Sequence, residues 1–448
     1  MDYKKLSVAA LIALGSSMVF AQDAEIATWA GFRKAAVSFT FDDGPQSDVD
    51  VALPMFEKYG YKATFNIVTN WANGGGGNGM LNWSGVQKLS AAGHEIASHS
   101  DSHPNGKPMP SNEISSSKGT ISQKIQQKYG VVTLAYPNCD TPGDAQVLQN
   151  YVVGRICNGS WKGGSDIMGK DGPSNWAAVS ALMTGNQGTS DFKGNMDKAV
   201  QQGGWVAFLT HGFQNKTNGF ADYSPTDANG MDGALQYAQQ KDKDIWVAPM
   251  GYVAMYIKER NASKIEPQDG GAANSMAFEL KHSIADNISK YDYPLSIKVK
   301  TDWSKVEVTQ DGAKLESKVD GGYVYFDAVP NAGSIVVKDA NASVESSSSS
   351  EVESSSSEFL CDALIPGCGD NPWAIAPEIQ DNFHFAVYRS SDNYIVVSGA
   401  QGHEITVFNS LGHKLRTTRG LGAEQKVYTG AKGVYIVKVG NKTRKVKL

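Results

Sequence analysis

Charge is scarce in this chain. Asp, Glu, Lys and Arg together make up 19% of its 448 residues, below the usual quarter for a soluble domain. The balance is slightly acidic, a net charge of -5 with pI ≈ 5.9, and excludes the basic surface of a nucleic-acid binder. Cysteine is limited to four residues with no Cys-x-x-Cys pair, which argues against a zinc site built from them. Beyond residue 20 no apolar run approaches the roughly 20 residues needed to cross a bilayer. What is present is 41% hydrophobic and 10% aromatic residues, enough for real cores, and a length that calls for two or three folding units.

The first residues read as an export signal. Lys4 and Lys5 precede a mostly apolar stretch from Leu6 to Phe20, and Val19-Phe20-Ala21 offers a cleavage site before Gln22. The mature chain is expected to be exported and soluble, where cysteines can oxidise. Cys139 and Cys157 can form one bridge and Cys361 and Cys368 another, although four cysteines allow three connectivities.

From about Arg33 to Asn261 apolar runs alternate with helix-like stretches such as 49–59 and 83–92. The runs centre on 35–41, 63–68, 95–97, 131–134, 151–153, 205–209 and 245–247. Strands alternating with helices pair in parallel, and seven such runs predict a distorted (β/α) barrel with its chemistry at the strands' carboxyl ends. After Ala272 the pattern turns to period two, as in 295–300, 306–308, 323–326 and 335–337, which predicts a small all-β module. A Ser/Glu run from Ser343 to Glu358 is a solvated linker, and a second all-β module follows. The expected partition is a signal peptide at 1–21, a catalytic barrel at 30–262, a β-sandwich at 272–340, a linker at 341–372 and a β module at 373–448.

Four of the eight histidines fall in the barrel region: His94, His99, His103 and His211. A spacing of four between His99 and His103 would put both rings on one face of a helical turn, within reach of one metal ion. Asp42 and Asp43 close the first strand, and Gly44-Pro45 turns the chain behind them. Neighbouring carboxylates there point different ways, so one can bind a metal while the other acts as a base. Two histidines and a carboxylate leave positions open on a divalent ion, whose Lewis acidity suits acyl hydrolysis. His211, at another strand end, can protonate a leaving group.

These motifs resemble those of the polysaccharide deacetylases, the NodB-homology domains of carbohydrate esterase family four. Thr40-Phe41-Asp42-Asp43-Gly44-Pro45 is similar to the family's first motif and His99-Ser100-Asp101-Ser102-His103-Pro104 to its second. Leu209-Thr210-His211 is similar to its Leu-x-His motif, and Ala92 to Ser98 is also family-like. The resemblance implies Asp42 as general base, His211 as general acid, and Asp43, His99 and His103 as ligands of one divalent ion, zinc or else cobalt or a similar metal. It further implies Leu209 and Pro137 at the substrate and an acetylated polysaccharide as partner. N-acetylated glucosamine polymers, chitin-like or peptidoglycan, rank first and O-acetylated xylan second.

The chain departs from the family at Ala135-Tyr136-Pro137-Asn138, which keeps the Pro of an Arg-x-Pro-aromatic motif but not the Arg that pairs with the base. Arg155 is the candidate to replace it. No clear equivalent of the family's Asp-and-Trp motif is evident, with Asp166 and Trp176 the available positions. Asp101 is expected to be solvated, and His94 to bond backbone. His282, His384, His403 and His413 read as surface residues, and Tyr291, Tyr293 and Trp303 as core packing or sugar-stacking rings. The C-terminal module, with Gly433 to Val439 and a basic end, resembles type IX secretion sorting domains, which implies secretion or attachment at a bacterial cell surface. Competing classes are a non-haem Fe(II) oxygenase, through His99-x-Asp101 with His211, and a non-catalytic glycan binder. An oxygenase of that type would need a jelly roll.

Overall fold

The computed structural model describes residues 23–105, 109–139, 144–162, 165–185, 187–268, 274–286 and 288–341, then a set of strands between 386 and 447. The expected signal peptide, all but the first residue of the linker, Cys361, Cys368, His384 and His413 lie outside the described residues.

Seven parallel strands close into a ring. In chain order they are Ala35–Phe41, Thr64–Ile67, Glu95–Ser98, Thr133–Ala135, Val153–Cys157, Val179–Met183 and Trp205–Thr210. The last pairs back onto the first, from Ala36 opposite Trp205 to Phe41 opposite Thr210. Parallel neighbours need crossovers, here the helices Leu53–Tyr59, Trp83–Ala91, Ser111–Lys124, Asp144–Leu148 and Thr189–Gln202. This is the expected (β/α) barrel, with two of its strands assigned differently. Ile245–Val247 stays out of the ring and pairs only with Ala35–Val37, low on the edge whose upper end takes Thr64 and Phe65. Val179–Met183, which has too little apolar contrast around Ser180 to stand out in the sequence, closes the ring in its place.

Side chains alternate across each strand. On the first strand Phe39 and Phe41 face the helix layer, where Phe39 packs on Phe56, Phe192 and Phe208. Each such fully buried ring stabilises the barrel by about 1.5–3 kcal/mol. Ala36, Ser38, Thr40 and Asp42 face the lumen, and the other strands place Leu209, Ala181, Val153 and Arg155 there by the same parity. A lumen that carries Ser38, Thr40, Thr64, Asn66, Glu95 and Arg155, all fully buried, must satisfy polar groups internally. Thr40 Oγ1 donates to the Phe208 carbonyl at 2.8 Å, and Ser38 Oγ to that of Ala248 at 2.8 Å.

The barrel's last helix, Met250–Ala262, runs directly into an antiparallel β-sandwich. One sheet has five strands, with Ser275–His282 between Ser263–Gln268 and Ser334–Asp339. The other has four, in the order Ala24–Ile26, Leu295–Lys300, Tyr323–Ala328, Ser317–Asp320. The sandwich thus draws on Ala24–Ile26 and Ser263–Gln268, both outside the 272–340 span expected from the period-two pattern alone. Phe278, Leu280, Ile297, Phe326 and Val337 fill its core. Tyr291 is buried with them, and Tyr293 and Trp303 pack against the same cluster, so these rings are packing residues. His282 is a half-buried tie, its Nε2 2.9 Å from the Tyr291 carbonyl, and not a free surface ring. In the second unit, 347–448, the described strands pair antiparallel, with Ile405, Val407, Val437 and Val439 among the buried residues.

Candidate active site

The site forms where strands of the ring release their carboxyl ends. Asp42 and Asp43 leave the first strand with Asp43 and Gly44 at φ of 76° and 77°. This left-handed turn gives the adjacent carboxylates different partners.

His99 and His103 do not share a helix. Residues 99–105 form an irregular bend with Ser100 and His103 at φ of 68° and 56°, a conformation costing about 1–3 kcal/mol per non-glycine residue. Local hydrogen bonds offset that strain. The Glu113 carboxylate accepts the backbone N–H groups of Asp101 and Ser102 at 2.9 and 2.8 Å and the Ser102 hydroxyl at 2.7 Å. Ser100 Oγ accepts the His103 N–H at 2.9 Å. Asp101 is half-buried and accepts the Thr69 hydroxyl, so it holds this bend and is not simply solvated. Glu113 is not singled out by the sequence, since as third residue of helix Ser111–Lys124 it reads as an ordinary first-turn acid. Glu113→Ala is expected to weaken metal binding roughly ten- to hundredfold by loosening the bend, as a competitive chelator titration would measure.

The Nε2 atoms of His99 and His103 stand 3.3 and 3.5 Å from Asp43 Oδ1. Donors held about 2.0–2.2 Å from a zinc-like ion at tetrahedral angles stand roughly 3.3–3.5 Å apart, so the three residues fit a divalent cation. Two further features agree. Asp43 Oδ1 is buried with no hydrogen-bond partner among the described residues. His99 Nδ1 lies 2.9 Å from the Ala135 carbonyl, which takes its proton and leaves the Nε2 lone pair for a metal. His103 is backed by Trp71, whose ring stacks on it at 5.1 Å.

Asp42 stays outside that set. Arg155, fully buried in the lumen, bonds both its oxygens through Nη2, at 2.6 Å to Oδ1, and Asn66 Nδ2 donates to Oδ1 at 2.8 Å. Burial alone would raise the Asp42 pKa, but Arg155, His99, His211 and the Asn66 hydrogen bond together bring it down to about 2. The expected substitute for the missing motif Arg is therefore in place, from the next strand of the ring. His211 follows the last barrel strand, edge-on to Tyr223 at 5.5 Å. Burial lowers its pKa against the opposing pull of Asp42 and Asp43, which favours the neutral ring. Asp48 is buried with neither oxygen partnered among the described residues, and burial reinforced by Asp43 and Asp42 holds its pKa well above the ordinary value. His94 has the structural part expected of it, its Nδ1 accepting the Ala63 N–H at 3.0 Å.

All five residues open into a cavity of about 600 Å³, whose walls include Trp71, Tyr136, Met183, Phe220 and Tyr223. Phe220 and Tyr223 are 60% and 66% exposed, and Phe220 packs against Trp71 at 5.1 Å. Two expected substrate contacts lie behind these walls. Leu209 is a lumen residue below His211, and its neighbour in register, Met183, lines the cavity instead. Pro137 is buried, and the flanking Tyr136 and Asn138 reach the cavity. Asp166 accepts the Ser180 hydroxyl at 2.6 Å and Trp176 packs against the core that holds Leu209, Phe278 and Ile297, and neither is among the residues lining the cavity. Cys139 and Cys157 are joined as a disulfide in the wall. The oxygenase alternative loses its premise, because the site sits on parallel strands and Asp101 bonds Thr69.

The fold and the site together define a (β/α) barrel with an Asp-His-His set at its carboxyl rim that fits a divalent cation. Residues 30–151 match the family described as polysaccharide deacetylase. A gellan lyase from a Bacillus species is 26% identical over 341 residues, covering 71% of this chain and 13% of that protein. A bifunctional xylanase/deacetylase from Pseudobutyrivibrio xylanivorans is 31% identical over 125 residues, covering 28% of this chain and 19% of that one. The chain thus spans less than a fifth of the length of either relative. Among solved structures, a peptidoglycan deacetylase from Bacillus subtilis is 17% identical, with 51% of this chain and 94% of that chain covered and a TM-score of 0.31.

Proposed function

We propose that the barrel hydrolyses acetyl groups from a polysaccharide with the help of one divalent ion, zinc in the first instance, held by Asp43, His99 and His103. The observation that carries this reading is the pairing of that three-residue set with a separate carboxylate, Asp42, kept ionised by Arg155. The ion, when bound, supplies Lewis acidity toward an acyl carbonyl and acidifies water. Asp42 Oδ2 then accepts a proton from attacking water, while Arg155 and Asn66 hold the carboxylate in place. His211, charged from solvent, delivers a proton to the departing sugar nitrogen or oxygen. Trp71, Phe220 and Tyr223 offer ring faces to a sugar at the cavity mouth.

N-acetylated glucosamine glycans are the favoured substrates, and the relative named as a xylanase/deacetylase supports O-acetylated xylan as the second reading. Acetate release from chitooligosaccharides, peptidoglycan and acetylxylan is expected to stop with chelator and return with added zinc or cobalt. A metal-loaded protein inactive on all three would overturn the proposal. Export through the N-terminal signal, with the C-terminal module read by type IX machinery, completes the reading. Mature protein in the culture medium beginning at Gln22 would support it, and retention of Met1 would sink it.

A further inference from the structure

Both imidazoles of the Asp-His-His set lean on one short stretch of chain, Ala135 to Cys139. The Ala135 carbonyl takes the proton of His99 Nδ1 at 2.9 Å. Three residues on, Asn138 Nδ2 donates to the Pro104 carbonyl at 3.2 Å and to Asn105 Oδ1 at 3.3 Å, directly after His103. Glu113 holds the middle of the 99–105 bend, at the N–H groups of Asp101 and Ser102, and Asn138 holds its far end. The two histidines start from different supports. His99 directly follows the barrel strand Glu95–Ser98, and its N–H still donates to the Ile67 carbonyl at 3.0 Å. His103 sits five residues past the end of that strand, in irregular chain.

Asn138 is placed for this contact by a strained turn. Asn138 and Cys139 have φ of 54° and 61°, two consecutive left-handed residues without a glycine, which persist only where the surroundings over-determine them. The near side of the turn is tied to the barrel through Tyr136. Its N–H donates to the Arg155 carbonyl at 3.1 Å and its hydroxyl to the Ala177 carbonyl at 2.7 Å. The far side is tied covalently, by the disulfide from Cys139 to Cys157. Cys157 is buried at the end of strand Val153–Cys157, which pairs on one side with Thr133–Ala135 and on the other with Val179–Met183. One covalent link therefore runs from a strand fixed on both edges, through Cys139 and Asn138, to the chain that carries His103.

We propose that the Cys139–Cys157 disulfide is a positioning cross-link for cation binding: it holds Asn138 against the 99–105 bend and so keeps His103 in register with His99 and Asp43 before an ion arrives. Affinity for an ion depends on how much ordering its ligands still require, and a ligand on a loose bend must be ordered at the moment of binding. Without the bridge the left-handed turn relaxes and the Asn138 amide leaves the bend. Arg155 lies on the same strand as Cys157, but strand pairing and its own bond to Asp42 hold it without the bridge. The effect should fall on the cation and spare the base. The inference rests on the reading of Asp43, His99 and His103 as ligands, and it gives the disulfide a role that reading does not require.

The test titrates cobalt(II) or zinc(II) into the metal-free full chain against a competing chelator, so acetate release does not enter the measurement. Cys139→Ser/Cys157→Ser is expected to weaken cation binding roughly tenfold, the lower end of the range for losing an outer support of a metal ligand. Asn138→Gly keeps the bridge and suits φ of 54° but lacks the amide, and is expected to weaken binding by a similar factor. Asn138 is exposed, so this variant decides the matter even if the serine pair fails to fold. Because the bridge acts through that amide, adding Asn138→Gly to the serine pair should weaken binding by less than about a further twofold. At saturating zinc, turnover of the serine pair should return to within about twofold of the parent. A parent chain that bound neither cation would overturn the ligand reading and this proposal with it. Parent-like affinity in the variants, with only Tm lowered in the serine pair, would overturn this proposal alone. So would losses that multiply in the triple variant, and either result would leave the deacetylase reading standing.

Discussion

Asp42→Asn is expected to lower the turnover of acetate release by roughly 10²- to 10⁴-fold, the range for loss of a positioned general base. The same variant should still bind one divalent ion with an affinity within a few-fold of the parent, because the ligand set is Asp43, His99 and His103. Asp43→Ala should lose activity and metal together. The contrast between the two neighbours is the diagnostic result, read from kinetics beside metal stoichiometry. If Asp42→Asn released its metal as readily as Asp43→Ala, the separation of base from ligand would be wrong. The separation has a structural cause: the left-handed turn at Asp43 directs one carboxylate to Arg155 and the other to the two imidazoles.

Arg155→Met should destabilise the barrel by about 3–5 kcal/mol, the scale for removing one partner of a buried ion pair. Asp42 would be left buried without its countercharge. In the parent protein the Asp42 pKa of about 2 lies below its ordinary 3.8. Its ionisation therefore stabilises the fold above the ordinary value, and that contribution is lost as the pH falls through about 2. In Arg155→Met burial acts with less opposition and raises the Asp42 pKa. Stability should then decline as the pH climbs above the unfolded value of about 4, opposite to the parent. Urea unfolding at pH 4, 5.5 and 7 checks the sign. The double variant Asp42→Asn/Arg155→Met should recover most of the stability and none of the activity, which distinguishes a catalytic carboxylate from a merely structural ion pair.

Much of the site can be read from short-range sequence. Asp42-Asp43-Gly44-Pro45 and His99 to His103 are compact motifs, and His211 follows a recognisable apolar run. The local conformation is less legible. A His-x-x-x-His spacing suggests a helix, yet the chain brings the rings together through a left-handed bend held by Glu113, a residue with no motif of its own. Ring closure is harder still. Val179–Met183 carries a weak strand signal but completes the barrel, while the stronger run Ile245–Val247 lies outside it, because pairing partners across a barrel are set by shear and not by local hydrophobicity.

By itself the sequence determined the residue types that can bind a cation and move a proton, and the strand-helix alternation that puts them at carboxyl ends. Tertiary structure alone decided which of them meet. Arg155 and Asp42 are 113 positions apart and touch only because lumen-facing residues converge when the ring closes. Closure likewise puts Met183 in the cavity wall and Leu209 behind it. Such meetings depend on the register between distant strands, which no short stretch of the chain encodes.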